Sequence, residues 1–377
     1  MKGMSTSIHS VGRATASGGP RLESEATFRI MRGAFEQALS NQPERIHESW
    51  YGFARYSVLI RVVGRSLAKY TIEPFAHLQT GETLSDVPAL TIELWDESET
   101  GVSCPVGPLV PSDDRESIWQ VEGGGFASSR DRRFVSYEFG ESRAWLDRKQ
   151  GHIVGWTRNG ERLSLYERGK PHHRLLSVWY NDRNVQIVHA GLVSRDGHGV
   201  LFAGSGGSGK STSTLACVSR GFGYLGDDYI GLQALQDDLF VGHSLYNSAW
   251  LEPGDSGRFP FLLPHVIQGK HPANDKLLIL LSQVCPGQLH RFAPIRALVL
   301  PRVAHAPDSR LQPASKGQAL LALAPSSILA LVPSPGEHGL DRLVRLVEHV
   351  PAYRLELGYD LQQIPNCVEQ LLAKVIR

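Results

Sequence analysis

The chain has 377 residues, enough for one large domain or two, and its 41% hydrophobic and 20% charged residues are ordinary for a globular protein that buries a core. A formal net charge of +1 gives no indication of a nucleic-acid partner or an acidic tail. The four cysteines are widely spaced and include no CxxC pair, which argues against a zinc knuckle, a thioredoxin-like motif and a disulfide framework.

The N-terminal residues lack the features of a targeting segment. Residues 1–24 are rich in Ser, Gly and Thr and have no apolar core of the signal-peptide kind, so we expect a disordered tail. A helix is expected next, because Phe28, Met31 and Phe35 recur at helical spacing. No apolar stretch of the sequence is long enough to span a bilayer, so we expect no membrane partner and a cytoplasmic location.

Residues 25–180 have the pattern of a mostly antiparallel β domain. Apolar and polar residues alternate over 90–95 and 133–139, as in half-buried strands, and apolar runs on either side of 148–151 indicate a hairpin. The basic, histidine-containing segment 170–174 is interpreted as a solvated linker. By elimination, this domain is the element expected to recognise a substrate or partner.

The second half of the chain, 181–377, has a different pattern. Strand-like and helix-like segments alternate, which predicts an α/β domain. Helices are expected at 318–324, 340–350 and 368–376.

Residues 204–211 match the phosphate-binding pattern G-x-x-x-x-G-K-[ST] at every fixed position. Small residues let successive backbone N–H groups turn toward an anion, and the following helix presents its N-terminus to it. A predicted strand at 199–203 and a predicted helix at 211–220 supply the required context, and a flexible Gly/Ser linker is the alternative. The predicted ATP-binding residues are Gly204, Ser205, Gly206, Gly207, Ser208, Gly209, Lys210, Ser211 and Thr212. In this pattern Lys210 reaches the β- and γ-phosphates, and the Ser211 hydroxyl binds Mg²⁺.

A histidine on a predicted strand precedes this pattern. Asp196-Gly197 between two apolar runs indicates a hairpin. With the turn centred between Gly197 and His198, the numbers of paired residues sum to about 395, which puts His189 opposite Gly206 and beside the phosphates. His189 is then either a hydrogen-bond donor or proton handler near the γ-phosphate, or a structural histidine of the core.

Two adjacent acids, Asp227 and Asp228, interrupt another predicted strand after the helix that follows the glycine-rich loop. Ligands of open α/β sheets bind beyond the carboxyl ends of the strands, where this pair is expected to lie. Asp227 can hold magnesium, and Asp228 can accept a proton from an attacking hydroxyl. The alternative is a turn with solvated acids.

With these residues in place, the chain resembles the HPr kinase/phosphorylase family and its P-loop serine-kinase relatives, which share a phosphoenolpyruvate-carboxykinase-like core. The matching segments are 188–190, 204–211 and 220–228. His189 lies 21 residues before Lys210, and Asp228 lies 18 residues after it, as in the family. The resemblance implies that His189 and Lys210 are active-site residues and that Ser211 holds magnesium. It also implies that Asp228 accepts the proton in phosphorylation and returns it in the reverse reaction.

The resemblance further implies an α/β fold with a P-loop kinase core of the HPr kinase/phosphoenolpyruvate carboxykinase type, preceded by the β domain. The family's segment with a second metal-binding glutamate is missing, and Glu252 is the nearest candidate, with a plain surface glutamate as the alternative. Candidates to replace the family's downstream catalytic arginine are Arg258, Arg296, Arg302 and Lys276. The β domain differs from that of HPr kinases, so the implied acceptor is a serine of another protein or peptide.

The sequence therefore predicts a kinase that uses ATP and Mg²⁺ to phosphorylate a hydroxyl, with a serine of a protein or peptide as its substrate. A small-molecule kinase or an ATPase is the first alternative, and a catalytically inactive ATP-binding regulator or scaffold is the second. No nucleic acid and no membrane are expected as partners. Because relatives of the resembled family are often oligomeric, a homo-oligomer is allowed.

Overall fold

The structure, a computed structural model, describes residues 24–81, 87–109, 115–121, 124–269, 274–329 and 339–376. The tail predicted over 1–24 lies outside these residues, except for Ser24. The described residues form a mixed α/β structure, as the sequence predicts. None of their helices is both long enough and apolar enough to cross a membrane.

Contacts between residues divide the chain into two compact units. The first comprises the described residues up to Ile72, Gln79–Leu163 and His172–Trp179, and the second comprises Glu73–Leu78, Ser164–Pro171 and the residues from Tyr180 onward. The second unit thus includes two short segments from the N-terminal half of the chain. A division of the chain at one point, between residues 180 and 181, does not describe this arrangement. The domain boundaries 25–180 and 181–377 stay a prediction.

The α-helices and strands are defined as follows. The helices are α1 (Ser24–Asn41), α2 (Arg65–Ile72), α3 (Glu97–Thr100), α4 (Leu165–Gly169), α5 (His173–Asn181), α6 (Lys210–Val218), α7 (Lys316–Ala324), α8 (Gly339–His349) and α9 (Gln363–Val375). The strands are β1 (Ile46–Phe53), β2 (Tyr56–Val63), β3 (Leu90–Asp96), β4 (Arg115–Val121), β5 (Gly124–Ser129), β6 (Phe134–Phe139), β7 (Ser142–Asp147), β8 (His152–Thr157), β9 (Val185–His189), β10 (Gly191–Arg195), β11 (His198–Phe202), β12 (Gly223–Gly226), β13 (Tyr229–Ala234), β14 (Phe240–Ser244), β15 (Ser248–Leu251), β16 (Val266–Ile267), β17 (Leu277–Leu280), β18 (Phe292–Ala306), β19 (Arg310–Pro313) and β20 (Ala352–Gly358). The last three predicted helices correspond to α7, α8 and α9.

The first unit contains one eight-stranded sheet in the order β1-β2-β3-β8-β7-β6-β5-β4. Its neighbouring strands are antiparallel except around β3, which runs parallel to both β2 and β8. A parallel pair needs a crossover connection, and α2 lies in the chain between β2 and β3. The sheet is therefore mostly antiparallel, as predicted, with two parallel pairs at β3 that the strand patterns alone do not indicate.

The predicted first helix covers part of this sheet. Phe28, Met31 and Phe35 of α1 are buried in one apolar cluster with Trp95 of β3 and Trp145 of β7. Residues three and four positions apart lie on the same side of a helix, so these three side chains form a continuous apolar stripe. The core of the first unit therefore forms from α1 and the tryptophans of the sheet.

Seven strands of the second unit form a sheet in the order β12-β10-β11-β18-β14-β13-β9, and β20 and β19 continue from β18. β11 and β20 run parallel to β18, whereas the other neighbours are antiparallel. A separate three-stranded sheet has the order β15-β17-β16. The phosphate-binding pattern begins just after β11, so it lies at the carboxyl end of a central, partly parallel strand.

The strand β11 is buried on both faces. Val200 and Phe202 belong to an apolar cluster with residues of α6 and α9, and Leu201 and Ala203 belong to another with residues of α7 and α8. Successive side chains of a strand point to opposite faces, so a continuous apolar run fits a strand that is covered on both sides. This packing holds the start of the glycine-rich loop in a defined place.

The predicted hairpin exists, but its register differs from the expected one. β10 and β11 are joined by Asp196 and Gly197, with φ of 50° and 79°. Positive φ at both turn residues matches the twist of the flanking strands. Arg195 pairs with His198, so the turn is centred one residue earlier than predicted and every expected partner is shifted by two residues. The hairpin also stops short of His189, whose strand β9 pairs with β13.

His77 makes the stability of the second unit sensitive to acid. Its Nε2 lies 2.7 Å from Ser244 Oγ, and burial, followed by the charge of Arg291, lowers the pKa of His77 to about 3. An unfolded histidine has a pKa of about 6.5, so below that pH the unfolded chain binds a proton that the folded chain does not. The stability that neutral His77 contributes to the folded state is fully present above pH 6.5 and is lost as the pH falls toward 3. We expect this one group to lower the free energy of unfolding by about 2 kcal/mol between pH 7 and pH 5.

Urea unfolding of the unaltered protein and of His77→Gln tests this expectation. Glutamine keeps a polar group next to Ser244 but cannot titrate, so the variant is expected to lose about 2 kcal/mol less between pH 7 and pH 5. Above pH 7.5 the two proteins should have the same pH dependence, which serves as the internal control. If the free energies of unfolding of the two proteins changed with pH in parallel from pH 5 to pH 7.5, the prediction would be contradicted.

Candidate active site

The loop between β11 and α6 carries most of the predicted phosphate-binding residues. Gly207 and Gly209 have φ of 76° and 103°, and a Cβ on Gly209 would collide with Leu357 of β20. Such φ values and such a close approach favour glycine. Ser205 and Gly206 are exposed, so the outer part of the loop is open to an anion at the N-terminus of α6.

Lys210, the first residue of α6, bends back over this loop. Its Nζ donates hydrogen bonds to the carbonyl oxygens of Gly204 and Ser205, at 2.8 and 3.1 Å. Burial lowers the pKa of Lys210, an effect that the negative charge of Asp228 opposes and the positive charge of Lys276 reinforces. The ammonium group therefore already lies within the loop of residues 204–211, which we call the cradle, and this cradle fits the polyphosphate chain of a nucleotide.

The hydroxyl groups near the loop have different partners. The Ser211 side chain lowers the pKa of Asp227 and so lies near that carboxylate, whereas Thr212 donates to Asp255 Oδ2 at 3.2 Å. The Ser208 hydroxyl is buried and has no hydrogen-bond partner among the described residues. Magnesium prefers oxygen ligands, and Ser211 and Asp227 offer two adjacent ones. The residues present thus fit the predicted metal ion at Ser211, while the Thr212 side chain is directed to Asp255.

Asp227 lies in the short connection between β12 and β13 and is 2% exposed. Its Oδ2 accepts the backbone N–H of Trp250 at 3.0 Å, and its Oδ1 accepts the Tyr224 hydroxyl at 3.3 Å. Burial, followed by the negative charge of Asp228, raises the pKa of Asp227 to about 6. The carboxylate is thus firmly oriented, and a bound cation would favour its ionised form.

Asp228 is held at both carboxylate oxygens. Its Oδ1 lies 2.9 Å from His189 Nε2, and its Oδ2 lies 2.6 Å from Lys170 Nζ. Burial alone would raise the pKa of Asp228, but the charge of Lys170 and the hydrogen bond with His189 outweigh burial and hold the pKa well below its usual range. The side chain is 23% exposed. Asp228 is therefore an ionised, oriented carboxylate that a substrate can still reach.

The position of His189 differs from the predicted one. His189 pairs with Tyr229 of β13, the residue that follows Asp228, and its backbone N–H donates to Ser327 Oγ at 3.1 Å. The prediction that His189 lies opposite Gly206 is wrong, because the hairpin with β11 ends before His189. Pairing of β9 with β13 instead brings the imidazole to the carboxylate of Asp228.

The interpretation of 170–174 as a solvated linker is wrong for four of its five residues. Pro171 is buried, and so are Lys170, His173 and Arg174, with 9%, 2% and 1% of their surfaces exposed. Lys170 is a candidate site residue that sequence reasoning missed, since its partner Asp228 lies 58 residues later in the chain. A basic segment that contains a proline is typical of a linker. No local sequence pattern indicates that its lysine forms an ion pair with a residue far along the chain.

Glu252, the candidate second metal ligand, is 60% exposed and forms an ion pair with Lys276 at 3.2 Å. Among the described residues no three His, Cys, Asp or Glu side chains are grouped closely enough to hold a metal ion. A role of Glu252 in metal binding stays a prediction, and the contact with Lys276 fits the alternative of a surface glutamate.

The four candidate cations lie in different places. Lys276 acts on the pKa of both Lys210 and Asp227, so its charge faces the cradle. Arg296 contacts His198, at the end of β11 away from the cradle, and Arg258 pairs with Asp255 at 3.2 Å. The fourth candidate, Arg302, is exposed and follows Pro301, whose side chain lies behind Gly209. The structure thus brings Lys276 to the site and separates Arg296 from it.

The comparisons with known proteins give limited similarity. No protein-family model matches the chain. A protein of Peptoclostridium acidaminophilum described as HPr kinase/phosphorylase is 40% identical over 59 residues, 16% of this chain. The chain spans about a fifth of that relative, since the match covers 19% of its length. The HPr(Ser) kinase/phosphatase structure from Coxiella burnetii matches 51% of this chain and 99% of its own, with 14% identity and a TM-score of 0.29, too low to support an argument. The sequence match loosely supports similarity to a kinase.

Proposed function

We propose that the protein is a kinase that uses ATP and Mg²⁺ and transfers the γ-phosphate to a hydroxyl, specifically a serine of a protein or peptide. The observation that carries the proposal is the state of Asp228, an ionised carboxylate fixed by His189 and Lys170. Its neighbour Asp227 lies near Ser211 in the first turn of the helix that begins with Lys210. The proposal thus places the base for a hydroxyl near the phosphate-binding loop, as phosphoryl transfer requires.

The proposal assigns a role to each of these residues. The loop amides and Lys210 would bind the β- and γ-phosphates, and the ammonium group would stabilise negative charge there. Ser211 and Asp227 would hold Mg²⁺, which supplies charge neutralisation between the phosphates. Asp228 would take the proton of the attacking hydroxyl, with His189 fixing its orientation. The P-loop kinase core of the HPr kinase/phosphoenolpyruvate carboxykinase type, the cytoplasmic location and a homo-oligomer belong to the same proposal.

Transfer of labelled γ-phosphate from ATP tests the function. The purified protein is incubated with magnesium and labelled ATP, first with a bacterial lysate, then with its small-molecule fraction, and then with buffer alone. We expect Mg²⁺-dependent label on serine of a lysate protein, and chelation of Mg²⁺ is expected to abolish it. Purified HPr is added in a separate reaction, where little label is expected.

The other outcomes identify the alternatives. Label confined to the small-molecule fraction would indicate a metabolite kinase, and ADP release with no labelled product would indicate an ATPase. Tight ATP binding without turnover would indicate a regulator or scaffold. Calorimetry on folded protein that detects no uptake of magnesium-ATP would overturn the proposal altogether.

A further inference from the structure

The segment that carries Lys170 has a fixed backbone on both sides of this residue. α4 begins with a capping box formed by Ser164 and Glu167. The Gly169 carbonyl oxygen accepts a hydrogen bond from Ser248 Oγ at 2.6 Å, and the Pro171 carbonyl oxygen accepts one from the Tyr246 hydroxyl at 3.0 Å. The flanking carbonyl groups of Lys170 are therefore anchored to the chain at and just before β15.

The side chain of Lys170 runs through an aromatic environment. Its Nζ lies 4.7 Å from the ring centroids of Tyr166 and Tyr229 and 5.6 Å from that of Trp250. The faces of aromatic rings attract cations, which offsets part of the loss of hydration of a lysine that is only 10% exposed. Trp250 also holds Asp227 through its backbone N–H. One residue thus positions both the lysine and the neighbouring acid.

Lys170 also changes the charge balance of the site. Lys170 lowers the pKa of Asp228, and the charges of Asp227, Asp228 and Lys276 act on the pKa of Lys210. Lys276 is also paired with Glu252, so without Lys170 three acids would face two lysines. Lys170 balances the third acid and adds positive charge beside Asp228, where a phosphate group would meet an acceptor hydroxyl. Positive charge at this place suits the negative charge of a transferring phosphoryl group.

We propose that Lys170 is a catalytic residue whose ammonium group donates a hydrogen bond to the phosphoryl group as it passes from ATP to the acceptor. This inference rests on the proposed function, because it takes Asp228 as the base. An acceptor hydroxyl within hydrogen-bond reach of Asp228 has the phosphorus about 3–3.5 Å beyond it. Lys170 Nζ is 2.6 Å from Asp228 Oδ2, so an acceptor hydroxyl bound to Asp228 would lie close to the ammonium group. An ammonium group has three N–H donors and can contact more than one acceptor at once.

Phosphoryl transfer needs no reactant besides ATP and the acceptor hydroxyl. The hydroxyl oxygen forms a bond to the γ-phosphorus, and the bond from that phosphorus to the β–γ bridging oxygen breaks, its electron pair leaving with ADP. The hydroxyl proton goes to Asp228. Lys170 gives up neither a proton nor electrons, and its N–H donates to a non-bridging oxygen as the phosphoryl group approaches the acceptor.

Substitution of Lys170 separates this role from a structural one. In the labelled-phosphate assay with lysate protein, and in ADP release with water as acceptor, Lys170→Met is expected to lower kcat by about 10²–10³-fold. The Kd for magnesium-ATP is expected to change less than about threefold, because the cradle and Lys210 are intact. Lys170→Arg, which keeps a cation with N–H donors, is expected to recover part of the lost rate. Lys316→Met, at an exposed lysine of α7, is the matched control and should behave like the unaltered protein.

Chemical rescue provides a readout that a structural lysine would not affect. Lys170→Ala leaves room for a small amine, so added ethylammonium is expected to increase its kcat at least several-fold, without increasing that of Lys316→Met. Transfer by Lys170→Met at the rate of the unaltered protein would overturn the inference and leave the proposed function standing. Loss of rate that follows a loss of folded protein, with no recovery in Lys170→Arg and no rescue by amine, would also overturn it. If the unaltered protein moves no label and releases no ADP, the proposed function fails first, and the inference fails with it.

Discussion

Asp228→Asn is expected to lower the rate of phosphoryl transfer by about 10²–10⁴-fold. Asparagine has nearly the shape of aspartate and keeps an oxygen that Lys170 or His189 can contact, but it cannot take the proton of the attacking hydroxyl. The carboxylate it replaces is ionised at neutral pH, because Lys170 and His189 hold its pKa low despite burial. Transfer of labelled γ-phosphate to lysate serine at saturating ATP measures the effect.

An acid elsewhere in the second unit provides a matched control for Asp228. Asp238 is 41% exposed and pairs with Arg345 at 2.7 Å, so Asp238→Asn should leave the rate unchanged. Asp228→Asn removes the counter-ion of Lys170, and its thermal stability is expected to fall. Calorimetry with magnesium-ATP must therefore show that the variant still folds and binds. Equal transfer by Asp228→Asn and the unaltered protein would exclude the assigned role.

Lys210→Ala is expected to weaken magnesium-ATP binding by about tenfold or more and to lower the transfer rate by about 10²–10³-fold. The ammonium group lies 2.8 Å from the Gly204 carbonyl oxygen, within the loop that would surround the phosphates. Its removal takes away a charge-assisted donor at the place where negative charge increases during transfer. Titration calorimetry measures the loss of affinity for magnesium-ATP, and the labelled-phosphate assay measures the loss of transfer rate.

Lys316→Ala is the corresponding control for Lys210, because Lys316 is an exposed lysine in the first turn of α7. It should bind ATP and transfer phosphate as the unaltered protein does. Lys210→Ala also removes two hydrogen bonds to the loop carbonyl groups, so a thermal unfolding curve must accompany both variants. An affinity for ATP that does not change on substitution of Lys210 would contradict the proposed cradle.

The strand, loop and helix around the phosphate-binding pattern could be predicted from the sequence because their signals are local. The apolar run at 199–203 corresponds to β11, and the helix expected over 211–220 corresponds to α6. A run of apolar residues indicates a buried strand wherever that strand packs. The glycines at 207 and 209 adopt positive φ that side chains disfavour, so their residue type alone indicates the shape of the loop.

Strand partners were harder to predict than strands. The Asp196-Gly197 turn was correctly recognised as a hairpin, but a shift of one residue at its centre changes every pair along it. The sequence pattern also runs on through Ala190 without a break, whereas the structure assigns β9 and β10 to different neighbours. The choice of neighbour depends on β13, which follows much later in the chain, and no local signal encodes it.

By itself, the sequence determined the type of site: a glycine-rich loop with a lysine and a serine at its end, and two acids after a strand. Only the tertiary structure decided that His189 and Lys170 both meet Asp228, and that Glu252 faces Lys276 instead. The physical reason is the range of the interactions. Backbone preferences and apolar periodicity act between near neighbours in the chain, whereas the pairing of charges depends on which distant segments the folded sheets bring together.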